Sequence, residues 1–379
     1  MAEEETAFYR EKMEQLLKSL PKHDASDLHL QVQSPPRVRL AGKLRELKAP
    51  ALDRDALENC VCSLLTAQQS GELERTGSVD LAYGIRDEGR FRINVFKQRG
   101  TLAVSARRVN TAVPTFEDLH LPQIVRDIAS LEHGMVIVAG TTGSGKSTTL
   151  AAMVEHINLN RRCHVLTIED PIEYLYSNKK AYINQREVGI DVSSFQEAIR
   201  YAVRQDPDAI LVGEMRDPET MSFGLRAAET GHLVLTTLHS ATASQTIGRI
   251  LDLFPGSEHE QVRHALQFHL RAVVCQKLLP CIREECARVP AVEVMLVNPP
   301  VRKAIGDGKE VELSEYIKAG RTEGMIDFNT SLFELVKRGY IDRHVALEVS
   351  PNADALEMRL KGILFETGEG GRKANVVSG

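Results

Sequence analysis

Gly140-Thr141-Thr142-Gly143-Ser144-Gly145-Lys146-Ser147 follows the apolar run Met135-Val136-Ile137-Val138-Ala139 and precedes a stretch of helical character. The octet satisfies G-x-x-x-x-G-K-[ST] at every fixed position and stands where such a loop works, after a buried strand and before a helix. Its glycines let the backbone curl so that successive N–H groups face an anion. The following helix N-terminus adds a partial positive charge. Lys146 is placed to neutralise terminal phosphate oxygens, and Ser147 offers a hard oxygen of the kind Mg²⁺ prefers. The nucleotide-binding set is therefore Gly140, Thr141, Thr142, Gly143, Ser144, Gly145, Lys146, Ser147 and Thr148, with ATP and Mg²⁺ as the implied cofactors.

Downstream, three more apolar runs alternate with helical stretches: Val165–Ile168, Ala209–Val212 and Leu233–Thr237. Near-continuous hydrophobicity suits strands covered on both faces, so the pattern predicts an α/β unit with a parallel sheet. Ligands of such sheets bind at the carboxyl ends of the strands. Two runs end there in acids, at Glu169-Asp170-Pro171-Ile172-Glu173 and at Gly213-Glu214-Met215-Arg216-Asp217. Glu169, Glu173 and Glu214 are candidate water-orienting or metal-holding groups, or else surface charges and helix caps. The second segment resembles a Walker B element with Gly213 at the usual aspartate position, which leaves the Mg²⁺ role to Glu214. His232 and His239 flank the run between them, and His239 is either a γ-phosphate sensor or a structural hydrogen-bonder. After Leu253-Phe254-Pro255 the spacing of Val262, Leu266, Leu270, Val273 and Val274 predicts one helical stripe. The small polar residues from about Gly368 predict a disordered tail.

Upstream, the pattern is α+β. Phe8–Leu20 reads as an amphipathic helix ended by Pro21, and Asp27–Val32 alternates as a half-buried strand. Val38–Leu47 reads as a strand region broken at Ala41-Gly42, and Leu52–Leu65 as a helix. Val79–Ile85 and Arg90–Phe96 read as a hairpin closed near Asp87-Glu88-Gly89, with Leu102–Val109 as a further strand. The expected organisation is a first domain over 1–110, a linker over 111–122 carrying Pro114 and Pro122, and the nucleotide domain over 123–379.

Of the 379 residues, 26% are charged and 42% hydrophobic, and the formal net charge is -5. Two domains follow from the length, and the acidic balance argues against a general nucleic-acid binder. No apolar run approaches the roughly 20 residues of a membrane span. Glu3, Glu4 and Glu5 take the place of a signal peptide's apolar region. The expectation is a cytoplasmic protein with no direct membrane insertion. Cys60, Cys62, Cys163, Cys275, Cys281 and Cys286 form no Cys-x-x-Cys pair and read as reduced, mostly buried thiols, with Cys281 and Cys286 the closest to a metal or redox arrangement.

The phosphate loop, the acidic box Thr167–Tyr174, the segment Asp206–Asp217, and Ala227-Ala228-Glu229-Thr230-Gly231-His232 through His239 come in one order. In that order they resemble the type II/type IV secretion ATPases, and among those the twitching-motility (pilus retraction) ATPases. The likeness runs from Ser26-Asp27-Leu28-His29-Leu30 to the region of Leu296. It implies a small PAS-like α+β N-terminal domain followed by a RecA-like ATPase domain with a helical C-terminal extension. It also implies a homo-hexamer at the inner-membrane base of a pilus machine, acting on an inner-membrane platform protein, with a paralogous retraction ATPase as a further partner. Carried over by position, Lys146 and Ser147 are the Walker A pair, Glu173 the catalytic glutamate, Glu214 the Walker B glutamate, and His232 and His239 the histidine box. Arg90, Arg92 and Arg107 become candidates for phosphate contact, since guanidinium binds such oxygens bidentately; Arg108 points to the other strand face. The tetracysteine loop and extra N-terminal domain of assembly ATPases are not seen. Pro300-Val301-Arg302-Lys303-Ala304-Ile305-Gly306 keeps only the arginine and last isoleucine of the retraction members' Ala-Ile-Arg-x-Leu-Ile motif. The extension past Tyr340 suits an accessory motor. Two other classes stay open: a secretion ATPase of the same superfamily, and a regulatory nucleotide-binding subunit of another ring.

Overall fold

A computed structural model describes residues 3–40, 42–86, 88–364 and 375–376. The chain divides into two compact units, Met1–Ala112 with Ile172–Leu175, and Val113–Pro171 with Tyr176–Gly379.

The first unit is built on an antiparallel sheet of β1 (Asp27–Gln31), β2 (Arg37–Leu40), β3 (Lys43–Glu46), β4 (Ser78–Ile85), β5 (Gly89–Gln98) and β6 (Thr101–Arg108). The spatial order is β3-β2-β1-β6-β5-β4. Alternation along β5 sends Phe91, Ile93 and Val95 into the core and leaves Arg92 exposed. Met13, Leu17 and Leu20 close that core from the helix Glu3–Lys22. This helix runs one residue past Pro21 instead of ending at it. The second helix is Arg54–Cys62, shorter at both ends than its apolar pattern, because the Asp53 carboxylate accepts the Ala56 N–H at 2.8 Å and sets the start. A third helix, Ala67–Thr76, opens on a reciprocal Thr66–Gln69 capping box. Segment 172–175 joins this unit through Asn110, whose N–H donates to Glu173 O at 3.3 Å and whose carbonyl accepts from the Leu175 N–H at 2.8 Å.

The second unit is built on a seven-stranded sheet of β7 (Gly134–Gly140), β8 (His164–Glu169), β9 (Tyr182–Glu187), β10 (Ala209–Val212), β11 (Leu233–Leu238), β12 (Leu270–Pro280) and β13 (Arg288–Leu296). Their order is β13-β12-β7-β11-β10-β8-β9, parallel throughout except for β13. All seven residues of β7 are buried, Ile137 in the core on one face and Val138 in the core on the other. This is the α/β arrangement that the apolar runs predict.

Three sequence expectations are corrected by the structure. The stripe Val262, Leu266, Leu270, Val273, Val274 is not one helix. Val262 and Leu266 lie on the helix His259–His269, and the other three lie on β12. Val273 and Val274 face opposite cores, which adjacent positions on a strand do and one helix face cannot. The stretch expected as linker is anchored at two points, Phe116 and Leu121, in the core of the second unit. Beyond β13 come the helices Pro299–Gly306, Leu313–Ala319, Phe328–Lys337, Arg343–Val349 and Ala353–Leu360. The expected disordered tail lies outside the described residues, apart from Asn375–Val376, which pair with Ile363–Leu364. Cys281 and Cys286 are joined as a disulfide, against the expectation of six free thiols. Of the remaining four, Cys60 and Cys275 are buried and Cys62 is exposed.

Candidate active site

β7 delivers the chain to the phosphate loop at Gly140, where φ is +155°. A Cβ there would lie 2.3 Å from Ser144 Oγ and 2.6 Å from the Gln276 carbonyl, so no side chain fits. Gly143 and Gly145 also take positive φ, and Gly145 caps the helix Lys146–Asn160. Lys146 is buried, its Nζ donating to Gly140 O at 3.0 Å and Thr141 O at 3.1 Å. Thr141, Thr142 and Ser147 are exposed, and Thr148 is half-buried. Ser144 Oγ is buried without a hydrogen-bond partner.

Gln276 is a member of the site with no sequence signal. It sits on β12 beside Gly140, and its Nε2 donates to Thr149 Oγ1 at 2.9 Å, tying the strand to the phosphate-loop helix. Ser144, Thr148, Thr149, Gln276 and Arg288 line a hollow of about 300 Å³ next to the loop.

Glu214 follows β10 by two residues and His239 follows β11 by one. Parallel pairing with β7 puts both on the phosphate-loop edge of the sheet. His239 Nε2 stands 3.3 Å from Glu214 Oε1, and Arg216 donates to Glu214 Oε2 at 2.6 Å. Burial pushes the Glu214 carboxyl up, but the Arg216 guanidinium, with His239 and Lys146 adding, holds it below its ordinary value. Glu169 ends β8, and its Oε1 accepts from Thr167 at 2.6 Å and Gln185 at 3.2 Å, which fixes it toward β9. Thr237 Oγ1 donates to Gly213 O at 2.7 Å and ties the ends of β10 and β11 together.

His232 is not brought to this edge. It precedes β11 beside Gly134, a strand length of about 20 Å away. Its Nδ1 lies 3.0 Å from Ala227 O, at the end of the helix Pro218–Glu229. Glu173 is exposed and belongs to the first unit.

The arginines also belong to the first unit, on the sheet face away from its core. Arg92 on β5 is in register with Arg107 on β6, and Arg107 with Asp27 on β1. Arg107 Nε donates to Asp27 Oδ1 at 2.7 Å, Arg39 Nε stands 3.4 Å from Oδ2, and Ser26 Oγ donates to Oδ2 at 2.7 Å. Asp27 is only 5% exposed. Burial pushes its carboxyl up, and Arg107, Ser26 and Arg39 together bring it below the ordinary value. Asp27, Asp80, Arg92, Asn94, Ser105 and Arg107 line a hollow of about 350 Å³. Arg90 lies two residues back along β5 on the same face. Arg108 turns to the opposite face, its Nε buried.

A glycine-built phosphate loop between a central parallel strand and a helix, with an ionised glutamate on the same edge, defines a P-loop nucleotide-binding protein. The family model described as "Type II/IV secretion system protein" matches residues 2–322, and the chain belongs to that family. The type IV pilus retraction ATPase PilT of Pseudomonas aeruginosa is 40% identical over 334 residues, covering 88% of this chain and 96% of that protein. The type IV pilus ATPase PilU of the same organism is 36% identical, covering 92% and 91%. Among solved structures, the pilus retraction motor PilT with bound ADP has a TM-score of 0.82 at 43% identity, covering 90% of this chain and 98% of that one. The Legionella pneumophila ATPase DotB has a TM-score of 0.77 at 27% identity, covering 89% and 94%. Among the described residues, no helix is long and apolar enough to cross a membrane.

Proposed function

We propose that this chain is an ATP-hydrolysing motor that powers type IV pilus retraction, working as a homo-hexamer on an inner-membrane platform protein. The observation that carries the reading is the convergence of the phosphate loop, Glu214 and His239 on one edge of the sheet. The near full-length match to the retraction ATPases named above supports the direction of work.

The residues fit a magnesium nucleotide. Gly140 forms a cradle that a Cβ would fill, Ser144 Oγ is a buried group without a partner, and Ser147 and the ionised Glu214 offer hard oxygens. Ser147 and Glu214 would hold Mg²⁺, whose charge would offset that of the phosphates. Lys146 exchanges its bonds to Gly140 and Thr141 for phosphate oxygens. Glu173 orients the attacking water, and His239 positions Glu214. Arg90, Arg92 and Arg107 neutralise charge developing on the transferred group, a contribution of several kcal/mol in such sites.

The test is deletion of the gene in its own organism, complemented with wild type or Glu214→Gln, scoring surface pili and surface motility. Abundant pili with lost motility, rescued by wild type alone, is the expected result. Loss of pili would overturn retraction in favour of assembly. Unchanged pili and motility would favour the secretion reading, which the description of the matching family also covers.

A further inference from the structure

A cleft of about 660 Å³ opens in the first unit, between residues 12–23 of and after the first helix, strands β2 and β3, and segment 47–52. Its lining is of two kinds. Leu16, Val38, Leu40, Leu47 and Leu52 supply an aliphatic floor. Lys12, Lys22, Arg45 and Lys48 stand around it, and Val38 and Arg45 are register partners, so the guanidinium rises from the same sheet face as the floor. The lone carboxylate of the lining, Glu46, is drawn to Arg37 at 2.9 Å. Among the described residues none of those four cations has a carboxylate in ion-pair reach. Four like charges around an apolar recess repel one another and lower the potential for an anion placed among them.

We propose that this cleft binds a long-chain aliphatic carboxylate, its chain on the leucine and valine floor and its head between Lys22, Arg45 and Lys48. Three observations select that chemistry. The volume lies within the roughly 300–1,000 Å³ of small-molecule pockets. The lining has no Phe, Tyr or Trp and only one ring, His23, so a nucleobase finds no aromatic platform beyond a single imidazole. The apolar floor is recessed, whereas a surface that enters a bilayer must protrude its apolar residues. A single extracted chain with a charged end satisfies floor and rim together. None of these residues belongs to the proposed ATPase site, so the inference stands apart from it.

The experiment titrates the purified full-length chain with monomeric oleate by calorimetry, with oleyl alcohol and phosphatidylglycerol vesicles as parallel probes. Saturable oleate binding is expected, with oleyl alcohol clearly weaker. Lys22→Glu combined with Lys48→Glu should weaken oleate by about tenfold or more, with circular dichroism and ATP turnover unchanged. Leu16→Arg, at a half-buried position of the floor, should abolish binding by filling the recess. Absence of saturation, equal affinity for the alcohol, indifference to the double reversal, or binding to vesicles alone would each overturn the proposal.

Discussion

Gly140 shows how little freedom the phosphate loop leaves. Its φ of +155° and the two atoms within 2.6 Å of a would-be Cβ make Gly140→Ala a strained change as well as a crowded one. A cost of roughly 1–3 kcal/mol is expected, seen as a lower unfolding midpoint together with loss of fluorescent-nucleotide binding. Lys146 and Glu214 should separate binding from turnover. Lys146→Ala removes a charge-assisted bond to phosphate and should weaken nucleotide binding by about tenfold to a hundredfold. Glu214→Gln keeps the shape and loses the charge held down by Arg216, so nucleotide should still bind while turnover falls about a hundredfold or more. Equilibrium binding and steady-state hydrolysis on the same preparations distinguish these outcomes. Wild-type turnover in the glutamine variant would remove Glu214 from the mechanism.

The antiparallel pair β12–β13 carries a buried acid that the mechanism does not use. Glu293 is in register with Cys275 and accepts the Ala243 N–H at 2.7 Å, at the start of the helix Ala243–Leu251. Burial pushes its carboxyl up to about 6, against the Ala243 N–H and Lys277 and with Asp327 adding to the rise. The folded value thus lies above the ordinary 4.5, and the folded state binds the proton more tightly than the unfolded chain. Stability should therefore fall as pH rises from about 4.5 to about 6, by about 2 kcal/mol, and stay lowered above that. Glu293→Gln keeps the acceptor for Ala243 and removes the charge. It should flatten that part of the profile and raise the denaturant midpoint at pH 7.5 while leaving it nearly unchanged at pH 4.5. Parallel profiles for the two proteins would assign the pH dependence to another group.

For the whole molecule, Arg92 and Arg107, register partners on neighbouring strands of the first unit, are both proposed to act in turnover. Arg92 and Arg107 should report this differently. Arg92 is exposed and forms no ion pair among the described residues, so Arg92→Ala should lower turnover by about tenfold or more at unchanged unfolding midpoint. Arg107→Ala should lower turnover and also cost stability, on the order of 1 kcal/mol, because its exposed guanidinium holds the buried Asp27 carboxylate. That stability is present at neutral pH and disappears as pH falls through the lowered Asp27 value, so the two curves should converge in acid. Hydrolysis rates and pH-dependent unfolding of both variants test the distinction.

Much of the second unit was legible in sequence because a parallel sheet announces itself locally. Strands buried on both faces are apolar runs, and a glycine-rich loop that wraps phosphate has few alternatives in composition. Glu169, Glu214 and His239 were legible as strand ends, since the end of a strand fixes the edge it reaches, whereas Glu173, four residues past β8, falls in the first unit. The spacing of Val262 to Val274 was not decisive, because a helix stripe and a strand with two buried faces share those positions until a neighbouring strand claims one of them. Gln276 carries no motif, and only the pairing of β12 with β7 brings its amide to Thr149. The separation of His232 from His239 likewise follows from the strand between them spanning the sheet. Local pattern determined which residues can bind phosphate and hold charge. Contacts between residues far apart in the chain decided which of them meet, because a side chain's partners are set by strand order and register, and neither is written within the reach of any one motif.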